Sequence, residues 1–161
     1  MKMAKLIDGK AVSARVKGEV AKEIAELKEK GIEAGLAVVI VGNNQASRVY
    51  VNNKKKACAE VGIASYEYAL PEETTEAELL ELVNKLNADP KVNGILVQMP
   101  LPKHINENAV INAIVPEKDV DAFHPRNVGH IMIGDYQFLP CTPAGVMELI
   151  AETGIDPAGK N

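Results

Sequence analysis

Apolar and polar positions alternate along this chain with the two periods expected of helices and strands. Between residues 11 and 30, apolar side chains recur every three to four positions, which predicts an amphipathic helix that ends at Gly31. Other helix ends are marked by Gly62, by a capping box at Thr75, by a cap at Asn106, and by Thr142 followed by proline. The predicted helices cover residues 11–30, 45–61, 75–88, 106–114 and 142–153, and residues 116–141 are expected to be loop-rich.

Three β-rich segments, 36–41, 63–70 and 94–99, lie between these helices. The first is continuously apolar, and a strand that is apolar on both faces belongs in the middle of a parallel sheet covered by helices. Helical crossovers between strands favour a parallel arrangement. We therefore predict a three-layer α/β/α domain with a mostly parallel sheet over residues 1–153, and we interpret the turn-rich residues 154–161 as the start of a linker.

Composition argues against several classes of function. The 161 residues carry a net charge of -4, whereas a nucleic-acid-binding protein needs a concentrated basic surface. No apolar stretch reaches the roughly 20 residues that span a bilayer, and residues 1–8 lack the apolar run of a signal peptide. The three histidines and two cysteines have no spacing typical of a metal site. We expect a cytoplasmic protein that binds no nucleic acid, membrane or metal.

Ser47, Tyr50 and Lys54 form the first cluster with candidate chemistry. Tyr50 and Lys54 are one turn apart on one face of the predicted helix 45–61, and Ser47 lies one turn before Tyr50. A lysine on the wall of a pocket can donate and accept protons when burial disfavours its ammonium form. The alternative is that Tyr50 only packs and that Lys54 is one of three solvated lysines.

Polar side chains also follow the third predicted strand. Gln98 carries an amide with both donor and acceptor to the carboxyl edge of the sheet, where ligands of such folds bind. Its alternative role is to satisfy loop backbone. Asp119 and Asp121 share one side of an extended segment. Such a carboxylate can accept two parallel N–H donors from a pterin ring, or both aspartates can cap turns.

The last candidate is the segment 140–145, a rigid loop that leads into the predicted final helix. The start of a helix presents backbone N–H groups that can receive a polar or anionic ligand group. In isolation, the same sequence also fits an ordinary helix cap.

Taken together, these segments resemble the bifunctional methylenetetrahydrofolate dehydrogenase/cyclohydrolase family. The resemblance extends over essentially the whole chain, and it is carried by residues 41–51, 53–54, 94–102, 118–125 and 140–145. It implies the amino-acid-dehydrogenase-like fold of that family's N-terminal domain. The family continues into a Rossmann-type domain with a glycine-rich phosphate loop, and no Gly-x-Gly-x-x-Gly occurs in this sequence.

The resemblance also implies roles for individual residues. Lys54 resembles the catalytic lysine, and Gln98 the glutamine that hydrogen-bonds this lysine. Tyr50 resembles the tyrosine that stacks on the folate and also takes part in catalysis by tuning the lysine. Asp121 resembles the aspartate that holds the pterin, and it is followed by Ala122 where the family usually has glycine. The remaining implied positions line the substrate pocket, at Ser47, Val97, Pro100 and Leu101, or contact the cofactor weakly, at Cys141 and Thr142.

The function implied for the whole family is NADP-dependent oxidation of 5,10-methylenetetrahydrofolate, followed by hydrolysis to 10-formyltetrahydrofolate. NAD is the alternative cofactor, bound like NADP mainly by the second domain, and a homodimer is expected. For this chain alone we expect folate binding and at most weak cyclohydrolase activity, without NADP reduction. Two other classes stay open: a folate-binding module without catalysis, and an unrelated α/β interaction domain.

Overall fold

A computed structural model describes residues 6–159 of the chain. Parts of the sequence interpreted above, residues 1–5 at the start and residues 160–161 of the expected linker, lie outside the described residues. Within the described range, no helix combines the length and the apolar character needed to cross a bilayer. The division into a domain and a linker at residue 153 stays a prediction.

The described residues alternate helices with strands in the predicted order. A short 3-10 helix, Pro116–Lys118, follows the fourth helix. The α-helices are α1 (Gly9–Glu29), α2 (Gln45–Val61), α3 (Glu76–Ala88), α4 (Glu107–Ala113), α5 (Pro125–Ile133) and α6 (Cys141–Ala151). The strands are β1 (Gly35–Val41), β2 (Ala64–Leu70) and β3 (Gly94–Val97).

The strands form a parallel sheet in the order β2-β1-β3. This confirms the predicted central position of the continuously apolar segment. Beyond β3, Asp119 pairs with Ile95 in an isolated parallel bridge, so the chain passes along the sheet edge once more. At the other end of the strands, a Cβ on Gly35 would collide with the carbonyl oxygen of Lys91, so that position has no space for a side chain.

Alternate residues of β1 face two separate layers of the core, as the pleat of a strand requires. Ala37, Val39 and Val41 pack in a cluster that contains side chains of α3 and α4. Val38 and Ile40 pack with Val51 of α2 on the opposite face. Helix α1 contacts α2 and α6, which adds to the α2 side of the sheet. The three-layer α/β/α prediction is therefore confirmed.

Most predicted helix ends are confirmed by hydrogen bonds. Thr75 and Glu78 form the reciprocal capping box, with Glu78 N–H donating to Thr75 Oγ1 and Thr75 N–H donating to Glu78 Oε2. The side chain of Asn106 accepts from the first turn of α4. Gly62 ends α2 with φ 87°, in the left-handed region that glycine enters without steric cost.

Three predictions of local structure were wrong. The segment 116–141 contains α5, which begins with proline after a His124 cap and ends at Gly134 with φ 78°. Helix α6 begins at Cys141 after Pro140, so Thr142 is not its cap. Strand β3 ends at Val97, because the backbone turns from there into Pro100 and its neighbours.

Candidate functional site

The carboxyl ends of β1 and β3 build one edge of the site. After β1, Gly42 turns the chain with φ 80°, and the Asn44 side chain caps α2 by accepting from Ser47 N–H at 3.1 Å. After β3, the backbone N–H of Gln98 donates to the carbonyl oxygen of Val39 at 2.8 Å. This bond extends the sheet pairing by one residue and fixes the backbone from which the Gln98 amide projects.

Lys54 and Gln98 meet across this edge. Lys54 Nζ donates to Gln98 Oε1 at 3.0 Å, and both side chains are half-buried. The other side of the amide is also occupied, since Gln98 Nε2 donates to the carbonyl oxygen of Met99 at 2.8 Å. The two bonds hold the amide in one orientation, with its oxygen toward the amine.

Tyr50 adds a flat apolar surface beside this pair. It is one turn before Lys54 on α2, and Lys54 Nζ lies 6.0 Å from the centroid of its ring. The tyrosine is 62% exposed, so its side chain is accessible to a ligand. An open aromatic ring next to an amine suits a planar, electron-poor heterocycle.

Burial and two charged neighbours, Lys54 and Asp119, affect the ionisation of the Asp121 carboxyl. Burial raises the pKa of its carboxyl above the ordinary value; the Lys54 ammonium acts in the lowering direction and the Asp119 carboxylate in the raising direction. The structure therefore joins Lys54 to Gln98 by a hydrogen bond and leaves Asp121 within electrostatic range of Lys54. Their roles in binding or catalysis stay predictions.

Hydrogen bonds attach the segment 118–121 to two helices. Lys118 Nζ donates to the carbonyl oxygens of Leu86, Asn87 and Asp89 at the end of α3. Asp119 Oδ2 accepts from the backbone N–H of His124 and from the Asn127 side chain. These bonds connect the loop that carries Asp121 to α3 and α5.

Val120 packs the same segment against the sheet, and Ala122 gives it a left-handed backbone position. A Cβ on Gly94 would lie 2.5 Å from Val120 Cγ1, so the missing side chain at residue 94 lets Val120 pack directly over β3. Ala122 has φ 55°, in the left-handed region that alanine enters only at a steric cost. The departure from the family's usual glycine thus falls on a backbone geometry that favours glycine.

Cys141 approaches the site from the start of α6. Burial, and then the Asp121 carboxylate, raise the pKa of its thiol, and Lys54 acts in the opposite direction. Cys141 and Lys54 also border an open cavity of about 830 Å³, whose apolar wall includes Leu36, Leu96 and Val120. At Lys54 and Cys141 the site thus borders an apolar groove along the α2 face of the sheet, and the site and this groove together form the cleft.

The other predicted site residues are divided between the buried core and the exposed surface. Ser47 is buried in the first turn of α2, and Val97 and Leu101 pack their side chains in the core cluster with α3 and α4. Pro100 and Thr142 are exposed, on the loop after β3 and in the first turn of α6. Contact of these five positions with substrate or cofactor stays a prediction.

Two residues that stabilise the site were not predicted from the sequence, Lys118 and Asn127. Lys118 belongs to a charged stretch that gives no sign of its partners. Asn127 lies in α5, and a proline after His124 with glycine at residue 134 was the available signal for that helix. Between residues 6 and 159, no group of three or more His, Cys, Asp or Glu side chains could hold a metal ion.

Comparison with known proteins points to one family. A sequence profile described as tetrahydrofolate dehydrogenase/cyclohydrolase, catalytic domain, matches residues 7–121. The bifunctional protein FolD of Acetivibrio thermocellus is 66% identical over 157 residues, which cover 98% of this chain and 55% of that protein. The chain therefore spans about half the length of the curated relatives it matches.

Solved structures agree in fold. The bifunctional methylenetetrahydrofolate dehydrogenase/cyclohydrolase of Campylobacter jejuni has a TM-score of 0.91 and 52% identity, covering 94% of this chain and 54% of that one. The Trypanosoma brucei enzyme, solved with NADP cofactor and an inhibitor, has a TM-score of 0.94 and 38% identity, covering 99% of this chain and 55% of that one.

Proposed function

The chain belongs to the tetrahydrofolate dehydrogenase/cyclohydrolase family, and we propose that its cleft binds a tetrahydrofolate derivative beside Lys54. The observation that carries this proposal is the hydrogen bond of 3.0 Å between Lys54 Nζ and Gln98 Oε1. It orients an amine that lies 6.0 Å from the centroid of the exposed Tyr50 ring and within electrostatic range of the partly buried Asp121 carboxyl group. Those three groups are complementary to a flat heterocycle with N–H donors along one edge.

In the proposed complex, Asp121 anchors the pterin and Tyr50 stacks on it. The ionised carboxylate accepts two parallel N–H donors from the 2-amino-pyrimidinone edge, a charge-assisted bidentate pairing. The exposed ring of Tyr50 covers one face of the folate. These contacts hold the one-carbon bridge of the substrate next to Lys54, and the substrate's glutamate tail extends toward solvent.

The reaction proposed for this site is hydrolysis of 5,10-methenyltetrahydrofolate. Water attacks the methenyl carbon, a carbon–oxygen bond forms, and the bond from that carbon to N5 breaks to leave the formyl group on N10. Lys54 takes a proton from the attacking water and delivers one to N5, and the remaining proton goes to solvent. Gln98 orients the amine, and general acid–base help of this kind contributes about 10²–10⁴ in rate.

For the whole protein we propose the NADP-dependent dehydrogenase reaction as well. When bound, NADP supplies the acceptor for hydride from 5,10-methylenetetrahydrofolate. Among the described residues, the start of α6 fits one polar group of such a cofactor, because its N-cap residue, Pro140, makes no side-chain hydrogen bond to the first turn of the helix. The activity proposed for this chain alone is folate binding with at most weak cyclohydrolase activity.

Substitution of Lys54 tests the proposal. Lys54→Met should abolish most of the loss of methenyltetrahydrofolate absorbance that the parent chain produces, while tetrahydrofolate still binds in a titration. Lys56→Met is the matched control, because it removes an exposed lysine from the same helix, and it should leave both readouts unchanged. Full activity in Lys54→Met would remove the assigned role of this lysine.

The two alternative classes fare differently in the comparisons. Membership of the family excludes an unrelated α/β interaction domain. A folate-binding module without catalysis is not favoured, because the matching relatives are bifunctional enzymes. A chain that binds tetrahydrofolate but leaves methenyltetrahydrofolate absorbance unchanged would restore that alternative.

The resemblance also supports proposals about the setting of the whole protein. We propose that it works in the cytoplasm as a homodimer with a folate substrate as its small-molecule partner. The net charge of -4 supports the further proposal that it does not act on nucleic acid. Sedimentation of the whole protein with and without folate would test the dimer.

A further inference from the structure

Asp119 is a buried carboxylate without a role in the proposed chemistry. It is 3% exposed, and within residues 6–159 it is the only charged residue in the buried class. Removing a carboxylate from water is costly unless hydrogen bonds compensate. Asp119 Oδ2 accepts from His124 N–H at 2.8 Å and from Asn127 Nδ2 at 2.9 Å, so its charge is compensated by donors rather than by a cation.

The bonds of Asp119 join three separate parts of the chain. Its backbone pairs with Ile95 at the sheet edge, and its side chain reaches the N-terminal end of α5. Asn127 donates a second bond, at 2.9 Å, to the carbonyl oxygen of Pro116. Residues 120–123 are therefore a short loop whose two ends are both fixed by Asp119, one through its backbone and the other through its carboxylate.

Asp121 lies inside that loop. The N–H of Ala122 donates to the carbonyl oxygen of Asp119 at 3.1 Å, which closes a turn around residues 120 and 121. Ala122 itself is 1% exposed and has φ 55°, so the turn persists against a steric cost. An alanine keeps a left-handed backbone conformation only where the surrounding structure holds it there. Here the hydrogen bonds of Asp119 hold the turn that contains Ala122.

We propose that Asp119 is a positioning residue, which fixes the direction and the electrostatic environment of Asp121 in the cleft without touching the ligand itself. The proposal rests on the proposed function only for the identity of that ligand. The Asp119–Asp121 relation belongs to this chain and can be measured without folate.

The pKa of Asp121 gives a way to measure the influence of Asp119. Lys54 from α2 and Asp119 from its own segment act on the carboxyl in opposite directions, and the Cys141 thiol approaches from α6. The Asp119 carboxylate raises the pKa of Asp121, although burial is the larger cause. Removing that negative charge while preserving an oxygen acceptor should therefore make Asp121 ionise at lower pH.

The first experiment uses Asp119→Asn in the 161-residue chain. The amide oxygen can still accept from Asn127 or His124, but the charge is gone. Carbon-13 NMR titration of the Asp121 carboxyl should give a lower pKa than in the parent. Asp135→Asn is the control, because it removes an exposed aspartate just after α5 and should leave the Asp121 titration unchanged. An Asp121 titration in Asp119→Asn that matches the parent would overturn the proposal.

The second experiment separates geometry from charge through tetrahydrofolate binding. Asp119→Ala loses both hydrogen bonds, and we expect it to weaken binding at least about tenfold at neutral pH. Asp119→Asn should recover most of that loss and extend binding to lower pH. Equal binding by parent and both variants at every pH would count against the positioning role. If Asp119→Ala does not fold, the titration of Asp119→Asn decides alone.

The two experiments also distinguish the failure of this inference from that of the proposed function. A parent chain that does not bind tetrahydrofolate would refute the proposed ligand. The pKa of Asp121 in Asp119→Asn would still show whether residue 119 controls residue 121.

Discussion

Replacing Lys118 by methionine removes the ammonium group that holds the end of α3. Its Nζ donates to the carbonyl oxygens of Leu86, Asn87 and Asp89 at 3.1, 2.8 and 2.8 Å. The last carbonyls of a helix have no partners within the helix, and the helix dipole favours a cation at that end. Methionine has a similar length but no donor, so all three bonds are lost.

The expected loss follows from the number and the setting of these bonds. A hydrogen bond from a charged donor contributes about 1.5–3 kcal/mol, so three independent bonds would contribute roughly 4.5–9 kcal/mol. The three bonds share one amine, and water can reach the half-buried site and replace part of them. Single substitutions also rarely cost more than about 4–5 kcal/mol. We expect Lys118→Met to lower the free energy of unfolding by about 2–4 kcal/mol.

Urea denaturation followed by circular dichroism measures this loss. Lys91→Met is the control, because it removes an exposed lysine two residues beyond Asp89 and leaves the three bonds intact. It should change stability by less than about 0.5 kcal/mol. A loss for Lys118→Met as small as that of the control would refute the reasoning, since it would mean that water replaces the ammonium fully.

Two further substitutions test the loop after Asp119. Ala122→Gly should gain about 1–2 kcal/mol of stability by relieving left-handed strain. It should lose about 0.8 kcal/mol because a buried methyl group is removed, and about 0.4–1 kcal/mol because glycine raises the conformational entropy of the unfolded chain. Urea denaturation should therefore show a change within about 1 kcal/mol of zero, and a gain above about 2 kcal/mol would contradict this balance. Asp121→Asn should be more stable than the parent at pH 7 and equally stable well below pH 3.8, because the raised pKa of Asp121 makes the folded chain lose stability as pH rises from 3.8 through that pKa. Parallel stability curves of the two proteins from pH 3 to pH 7 would show that burial does not disfavour the ionised carboxyl.

The sheet and most helices were predictable because their signals are local. The apolar run in β1 reports burial on both faces, and the Thr75 capping box needs only residues within one turn. Helix α5 escaped prediction although Val128, Ile131 and Met132 have helical spacing, because the proline and glycines in and around it are equally typical of loops. The start of α6 was placed too late for a related reason: Thr142 fits a cap, but Pro140 occupies that position.

The candidate site was predictable in part. Helical spacing predicts that Tyr50 and Lys54 lie on one face of α2. The end of the third predicted strand places Gln98 at the carboxyl edge of the sheet, where ligands of such folds bind. The partners of Lys118 and Asp119 could not be inferred, because they are separated from these residues by up to 32 positions or lie in the unrecognised α5. Such pairings depend on how elements pack, which a single sequence does not report. The resemblance to a known family indicated which ligand to expect, whereas residue spacing alone did not decide between a functional and a structural role for each cluster.

The four consecutive residues 118–121 serve four different neighbours in turn: α3, α5, β3 and the cleft. A point substitution disturbs one of these attachments, and the other three remain to hold the loop. Insertion or deletion of one residue would shift every attachment to the wrong neighbour at once. During divergence this segment can therefore accept changes of side chain one by one, but its length is constrained as strictly as that of a buried strand.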